Sequence, residues 1–512
     1  MDATRNTIAQ TKAGSVQGRW RDGAYEFNAI PYAAPPTGER RFRAPEPVSC
    51  WSGLRSAVTP GPIPPQTPSR LARVLGDYDL AQGEDCLHVN VVTPELDGAK
   101  RPVVVWLFGG AFLSGGNAIP WYDGGGFARH HDIVFVGVNY RLGAFGFLHL
   151  EELGPGNLGL RDQVAALQWT QANIEQFGGD PDNVTLMGQS AGAISVLSLL
   201  AAPSARDLFH RVIVQSARLS SLSTAHDTAA SGHALLEHSG LSVDGLRRLP
   251  TDQVLALQNA HIRANVRFGA TSTPFRPFAG DDLIGANPLA EAVAGAAGKN
   301  VLVGWTRDEM SAFFCGSREI LDAAAPEIDA VFEREWGENW REGQQFARAA
   351  RPGAAADVVF GAGLNECMFA GSAVTLAEKL AGHAPTWLYR FDWTAPTSRF
   401  GACHCIELPF VFGNTDTWGA PMLAGASGPA MRGLSELMQR TWAQFIRYGN
   451  PNHNALPHWA EYDHAKRTTL RIDEVVESIS DLANVASPTR PWPARLPALD
   501  VRADLSKGAV TP

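Results

Sequence analysis

The sequence predicts an α/β fold, a large mixed but mainly parallel sheet flanked by helices. Three observations carry this reading. The continuous β-branched and aromatic runs Val103–Phe108 and Ile133–Asn139 have the character of strands buried on both faces. Between such runs the apolar period lengthens: Leu160, Val164, Leu167, Ile174 and Phe177 recur at helical spacing and share one face. The two patterns then alternate along the chain, as units of strand, helix and parallel strand require.

The elements follow in order. Proline is dense at 60–68, where missing N–H groups and fixed φ favour an extended surface loop. The strand 103–108 comes next, then 133–139, then the helix 160–177, which Gly178-Gly179-Asp180-Pro181 stops. Val184–Met187 is a short strand, and Ala191–Leu200 reads as a helix. Further strands are expected at 211–215, 301–304 and 387–392, and a helix at Leu434–Arg447. Residues 218–300 have weaker periodicity and read as a helical excursion over the sheet. No repeat and no Gly/Ser-rich or charged linker divides the chain, so a single domain over 1–512 is expected.

Composition narrows the function. The formal charge of −9 and pI near 5.9 argue against a nucleic-acid partner, since neutralising phosphates needs a basic face. Apolar runs such as Val103–Phe108 and Ile194–Ala202 are too short to span a bilayer, so no membrane association is expected. The opening Met1–Asn6 lacks the apolar stretch of a signal peptide, and six cysteines in 512 residues do not read as a disulfide framework. The expected location is the cytoplasm.

Gly188-Gln189-Ser190-Ala191-Gly192 sits between a strand and a helix. A G-x-S-x-G turn in that context presents its serine at the carboxyl edge of a sheet, with glycines relieving the crowding. Ser190 is therefore the candidate nucleophile. Upstream, Phe108-Gly109-Gly110-Ala111-Phe112 follows a strand, and small residues there let backbone N–H groups approach a developing oxyanion. The candidate donors are the amides of Gly110, Ala111 and Ala191, the last on a helix whose positive end faces the site.

In chains with this elbow the order is serine, acid, histidine. Of the later histidines, His404 precedes the apolar Leu408–Phe412 and so lies on an anchored loop. His453, His458 and His464 lie in a polar Pro/Asn-rich stretch typical of a surface. Asp308 and Glu309 both follow the strand 301–304, and spacing does not choose between them. Cys403-His404-Cys405 and His130-His131 offer metal-type donors, but adjacent side chains diverge and no C-x-x-C or H-E-x-x-H pattern accompanies them. No metal and no organic cofactor is expected.

Longer motifs resemble the type-B carboxylesterase and cholinesterase family, close to bacterial para-nitrobenzyl esterases. They run from Asn28–Ala33 through Glu84–Val91, Asn139–Phe147 and Phe177–Pro181 to Trp459–Asp463, nearly the whole chain. The resemblance implies an α/β-hydrolase fold and a serine carboxylesterase acting on a small-molecule ester. It implies a Ser190–Glu309–His404 triad, which selects Glu309 over Asp308, and structural ion pairs of Arg41 with Glu84 and Arg141 with Asp85. It also aligns Ser216 with a serine near the acid–base pair. The Gly109-Gly110-Ala111 hole resembles that of enzymes accepting bulky or tertiary alcohol esters. An amidase or carbamate hydrolase with the same triad is the alternative within enzymes; a non-catalytic binding module is the alternative outside them, and the three intact residues oppose it.

Three departures stand out. Gln189 occupies the position where the family usually carries glutamate. The stretch upstream of Cys86 is proline-rich without a bridging cysteine. No tryptophan lies between Pro64 and Asp85, where cholinesterases hold choline against an indole, so a choline-ester specialist is not expected.

Overall fold

The computed structural model describes residues 6–482; residues 1–5 and 483–512 of the expected single unit lie outside them. An 11-stranded sheet organises the described chain. In chain order its strands are β1 (Arg19–Arg21), β2 (Ala24–Pro31), β3 (His88–Thr93), β4 (Arg101–Leu107), β5 (Val134–Val138) and β6 (Gly179–Gln189). They continue with β7 (Arg211–Gln215), β8 (Asn300–Thr306), β9 (Thr386–Phe391), β10 (Thr469–Ile472) and β11 (Glu477–Ile479). Across the sheet the order is β11-β10-β9-β8-β7-β6-β4-β5-β3-β2-β1. From β10 to β5 every neighbouring pair is parallel, and antiparallel pairs close both margins. This is the mixed, mainly parallel sheet that the strand runs predict.

Every residue of β4 and β5 is buried, which explains why these strands read as continuous apolar runs and not as alternating ones. The strand at 184–187 is longer than its apolar run. Its register with β4 reaches back to Gly179, and its register with β7 reaches forward to Gln189. Backbone pairing extends the strand through polar residues that a hydrophobicity pattern cannot assign. The helix Leu158–Asn173 runs into a 3-10 turn at Ile174–Phe177 and stops at left-handed Gly178, near the expected end. The helix expected from Leu434 begins earlier, at Pro429, a residue whose fixed φ suits a helix start but which carries no amphipathic signal.

Between β7 and β8 lie the helices Ala225–Ser239, Val243–Arg248, Thr251–Asn265 and Pro288–Gly295. Ala356–Asn365, a π-helical turn at Glu366–Ala370 and Gly371–Leu380 form one continuous apolar helix. It is long enough to cross a membrane, and 72% of its most apolar window is buried inside the protein.

One of the two expected ion pairs forms. Arg41 clasps Glu84 through Nε–Oε2 at 2.7 Å and Nη2–Oε1 at 2.5 Å, and also donates to the carbonyls of Arg247 and Leu249. The other needs correction. Arg141 pairs with Asp162, Nε and Nη2 lying 2.8 and 2.7 Å from its two carboxylate oxygens, while Asp85 is exposed. Asp162 lies on the buried face of the helix Leu158–Asn173, where its oxygens meet the guanidinium fork as well as the Arg141 N–H.

Candidate active site

β4 has β5 on one side and β6 on the other, so the connections diverge there and leave a crevice at the carboxyl ends of the strands. Two turns reach that crevice. After β4 the chain folds through Phe108–Ser114, with Gly110 at φ 127° and Ala111 and Phe112 at φ 56° and 60°. A Cβ on Gly110 would stand 2.0 Å from the Ser114 carbonyl oxygen, so the turn requires glycine. Among the described residues, the amides of Gly110 and Ala111 donate to no protein carbonyl.

After β6 comes Ser190, at φ 57° and ψ −121°, a strained conformation for a residue with a side chain. Its N–H donates to the Gln215 carbonyl at 2.9 Å, which ties the turn to the end of β7. The helix Ala191–Ala201 starts at once, and the Ala191 N–H at its first position has no intrahelical acceptor. A Cβ on Gly192 would lie 1.9 Å from the Leu107 carbonyl oxygen; its absence lets the helix start press against β4.

The acid and the imidazole arrive from β8 and from the loop after β9. Glu309 is fully buried and both its oxygens are engaged: Oε1 accepts the Thr306 N–H at 2.8 Å, and Oε2 pairs with His404 Nδ1. The His404 amide also donates to the Glu309 carbonyl. Asp308 turns away, held by Arg307, Arg351 and the Ala402 N–H. The His404 ring packs between Phe313 and Phe369, with centroids at 5.5 and 5.2 Å. Both phenylalanines line the same cleft as Ser190, Ala111 and Ala191. Ser190, Ala111 and Ala191 thus line one cleft, with Gly110 one residue behind its wall, while the His404–Glu309 pair is buried behind the Phe313 and Phe369 that line it. Ser216 lines the cleft as well, its hydroxyl buried without a protein partner.

Residues beside the imidazole define its surroundings. The Gln189 amide nitrogen lies 3.3 Å from His404 Nε2, and its carbonyl accepts the Cys405 thiol. Glu407, one turn beyond His404, is fully buried and bonds Gln215 Nε2 at 3.2 Å. Burial foremost, then the Glu309 charge, pushes its carboxyl up to about 7, while His404 pulls the other way.

Sequence reading passed over Phe369, Phe313, Arg218, Arg276 and Glu407. Phe369 had no readable signal: it projects from the π-helical turn Glu366–Ala370, and that local unwinding is not encoded by apolar spacing. Glu407 did carry one, since it follows His404 by three residues on a buried stretch.

Comparison with known proteins bears on this geometry. The model of the carboxylesterase family matches residues 5–487. The chain belongs to the carboxylesterase family. This carboxylesterase is 36% identical over 482 residues to the para-nitrobenzyl esterase of Bacillus subtilis, covering 93% of this chain and 96% of that one. It is 34% identical over 484 residues to the phenmedipham hydrolase of Pseudarthrobacter oxydans, covering 93% and 97%. Its structure superposes on that of the Geobacillus stearothermophilus carboxylesterase with a TM-score of 0.83 at 33% identity, covering 94% of this chain and 99% of that one. The fold is therefore the α/β-hydrolase fold, and this carboxylesterase is a carboxylic ester hydrolase.

Proposed function

We propose that the chain hydrolyses small-molecule carboxylic esters through an acyl-enzyme on Ser190, with His404 as general base and acid and Glu309 as its orienting partner. The observation that carries this reading is the buried Glu309–His404 pair set against the two phenylalanines that share a cleft with Ser190. With Nδ1–H directed to Glu309, the imidazole keeps Nε2 as the proton acceptor. Ser190 Oγ attacks the ester carbonyl as Nε2 takes its proton. The tetrahedral oxyanion accepts hydrogen bonds from the amides of Gly110, Ala111 and Ala191, and Glu309 stabilises the imidazolium. His404 returns the proton to the leaving alcohol, then activates water for deacylation.

The test is turnover of p-nitrophenyl acetate and butyrate by the parent and Ser190→Ala side by side. The variant is expected to lose about a million-fold in kcat. A folded parent that cleaves neither ester would overturn the reading in favour of a binding module. Butyryl p-nitroanilide in the same assay tests the amidase alternative.

A finer part of the proposal concerns the alcohol. Support comes from the tight turn at Gly110–Phe112, whose Gly110 and Ala111 amides donate to no protein carbonyl among the described residues, and from Ala111, which adds only a methyl to the cleft wall. Esters of tertiary alcohols, such as tert-butyl or linalyl acetate, are expected to be hydrolysed. Ready cleavage of a primary acetate with neither tertiary ester consumed would reject this. Cytoplasmic location is also proposed, supported by the buried, unpaired Cys86, and cell fractionation tests it.

A further inference from the structure

Part of the cleft wall, beside Phe369, is cationic. Arg218, on the loop after β7, and Arg276, just before Phe278, both line the cleft that holds Ser190. Arg218 spends one nitrogen on the Thr271 hydroxyl at 2.5 Å, and its Nε is buried without a hydrogen-bond partner. Arg276 makes no ion pair and no hydrogen bond among the described residues, and its Nε is likewise buried and unpartnered. Arg70 stands behind them, donating to the Thr271 carbonyl.

Among the described residues no carboxylate forms an ion pair with Arg218 or Arg276, and Glu335 acts on both only through space. Glu335 is paired to Arg334, and Asp227 is exposed on the first turn of a neighbouring helix. Burial, and then the charge of Arg218, lowers Arg276 to about 10, so it remains charged at neutral pH. A guanidinium withdrawn from water without a counter-ion is costly, and arginine is suited above all to planar, two-pronged recognition of carboxylate. Thr271 and Ser216 line the same cleft, and their hydroxyls retain a proton to donate to such a ligand.

Resting on the esterase reading, we propose that Arg218 and Arg276 form a subsite for a carboxylate carried by the substrate, so that the preferred esters are anionic. The negative charge that completes the pair arrives with the ligand. Neutral esters leave both guanidiniums unpaired and are bound less well in the transition state.

The experiment compares kcat/KM for two matched pairs. One places the charge on the acyl side, monoethyl adipate against the ethyl ester whose far carboxylate is replaced by isopropyl. The other places it on the alcohol side, para-acetoxybenzoate against para-isopropylphenyl acetate. For one pair the parent is expected to favour the anion by about tenfold or more. Arg276→Met and Arg218→Met should abolish that preference, Arg276→Lys should keep part of it, and Arg40→Met, altering an exposed arginine paired to Glu46, should leave it in place. With the parent alone, adipate should inhibit p-nitrophenyl butyrate hydrolysis competitively, a readout that needs no variant to fold. Neutral esters cleaved as well as anionic ones, an anion preference that survives in both methionine variants, or no inhibition by adipate would overturn the subsite. Turnover of the neutral esters reports separately on the esterase reading.

Discussion

Gln189 and Glu407 together set the charge beneath the imidazole. Gln189 is neutral and lies 3.3 Å from His404 Nε2, and the additional carboxyl that acts on the imidazole is Glu407, buried and resisting ionisation beside Glu309. A carboxyl raised to about 7 holds its proton in the fold at a pH where the unfolded chain has released it. The folded state then binds more protons than the unfolded one, so stability is fully present below roughly pH 4, the usual glutamate range, and declines until pH passes about 7. Glu407→Gln is expected to flatten denaturation midpoints across that window and to stabilise the protein at pH 8 by on the order of 3 kcal/mol. Urea titrations of parent and variant from pH 5 to 8 measure it; parallel curves would show that Glu407 ionises normally.

At the scale of elements, the site depends on how closely the helix Ala191–Ala201 seats on β4. Gly192 is the point of contact, with no room for a methyl against the Leu107 carbonyl. Gly192→Ala, an otherwise helix-favouring change, should instead destabilise by about 1–3 kcal/mol and move Ser190 out of line. Thermal unfolding and kcat should fall together, and a stabilised, fully active variant would contradict the packing. The π-helical turn acts similarly, by turning Phe369 onto the His404 ring. The elbow was legible because its glycines stand at fixed spacing around Ser190. The π turn was not, because a bulge of hydrogen bonds leaves no compositional mark.

Across the whole molecule, buried ion pairs tie distant stretches to the sheet. Arg141 joins the loop after β5 to the helix Leu158–Asn173 through Asp162 and also donates to the Arg43 carbonyl. Removing one partner leaves a buried charge unmatched. Asp162→Asn is thus expected to cost about 3–5 kcal/mol in chemical denaturation, whereas Asp85→Asn should change stability by no more than about 0.5 kcal/mol. Equal effects would restore the pairing that the motif resemblance implies. Arg41 and Glu84 perform the corresponding task for the helices between β7 and β8, with Thr251 donating a third bond to Glu84.

By itself the sequence determined the strands from Val103 to Phe391, but not the two that follow at 469–479, and it singled out the elbow around Ser190 and His404 as the anchored histidine. These are local: an apolar run, a glycine spacing, a loop beside a buried stretch. Motif resemblance, and not spacing, separated Glu309 from Asp308; in the structure the difference is that Glu309 faces His404 while Asp308 is engaged by two arginines. Only tertiary structure decided that Arg141 meets Asp162, that Phe313 and Phe369 enclose the imidazole, and that Arg218 and Arg276 come to the same cleft from segments 58 residues apart. Such contacts depend on side chains far apart in the chain meeting at the carboxyl edge of one sheet. No periodicity records that meeting, because each partner alone reads as an ordinary polar or apolar residue of its own segment.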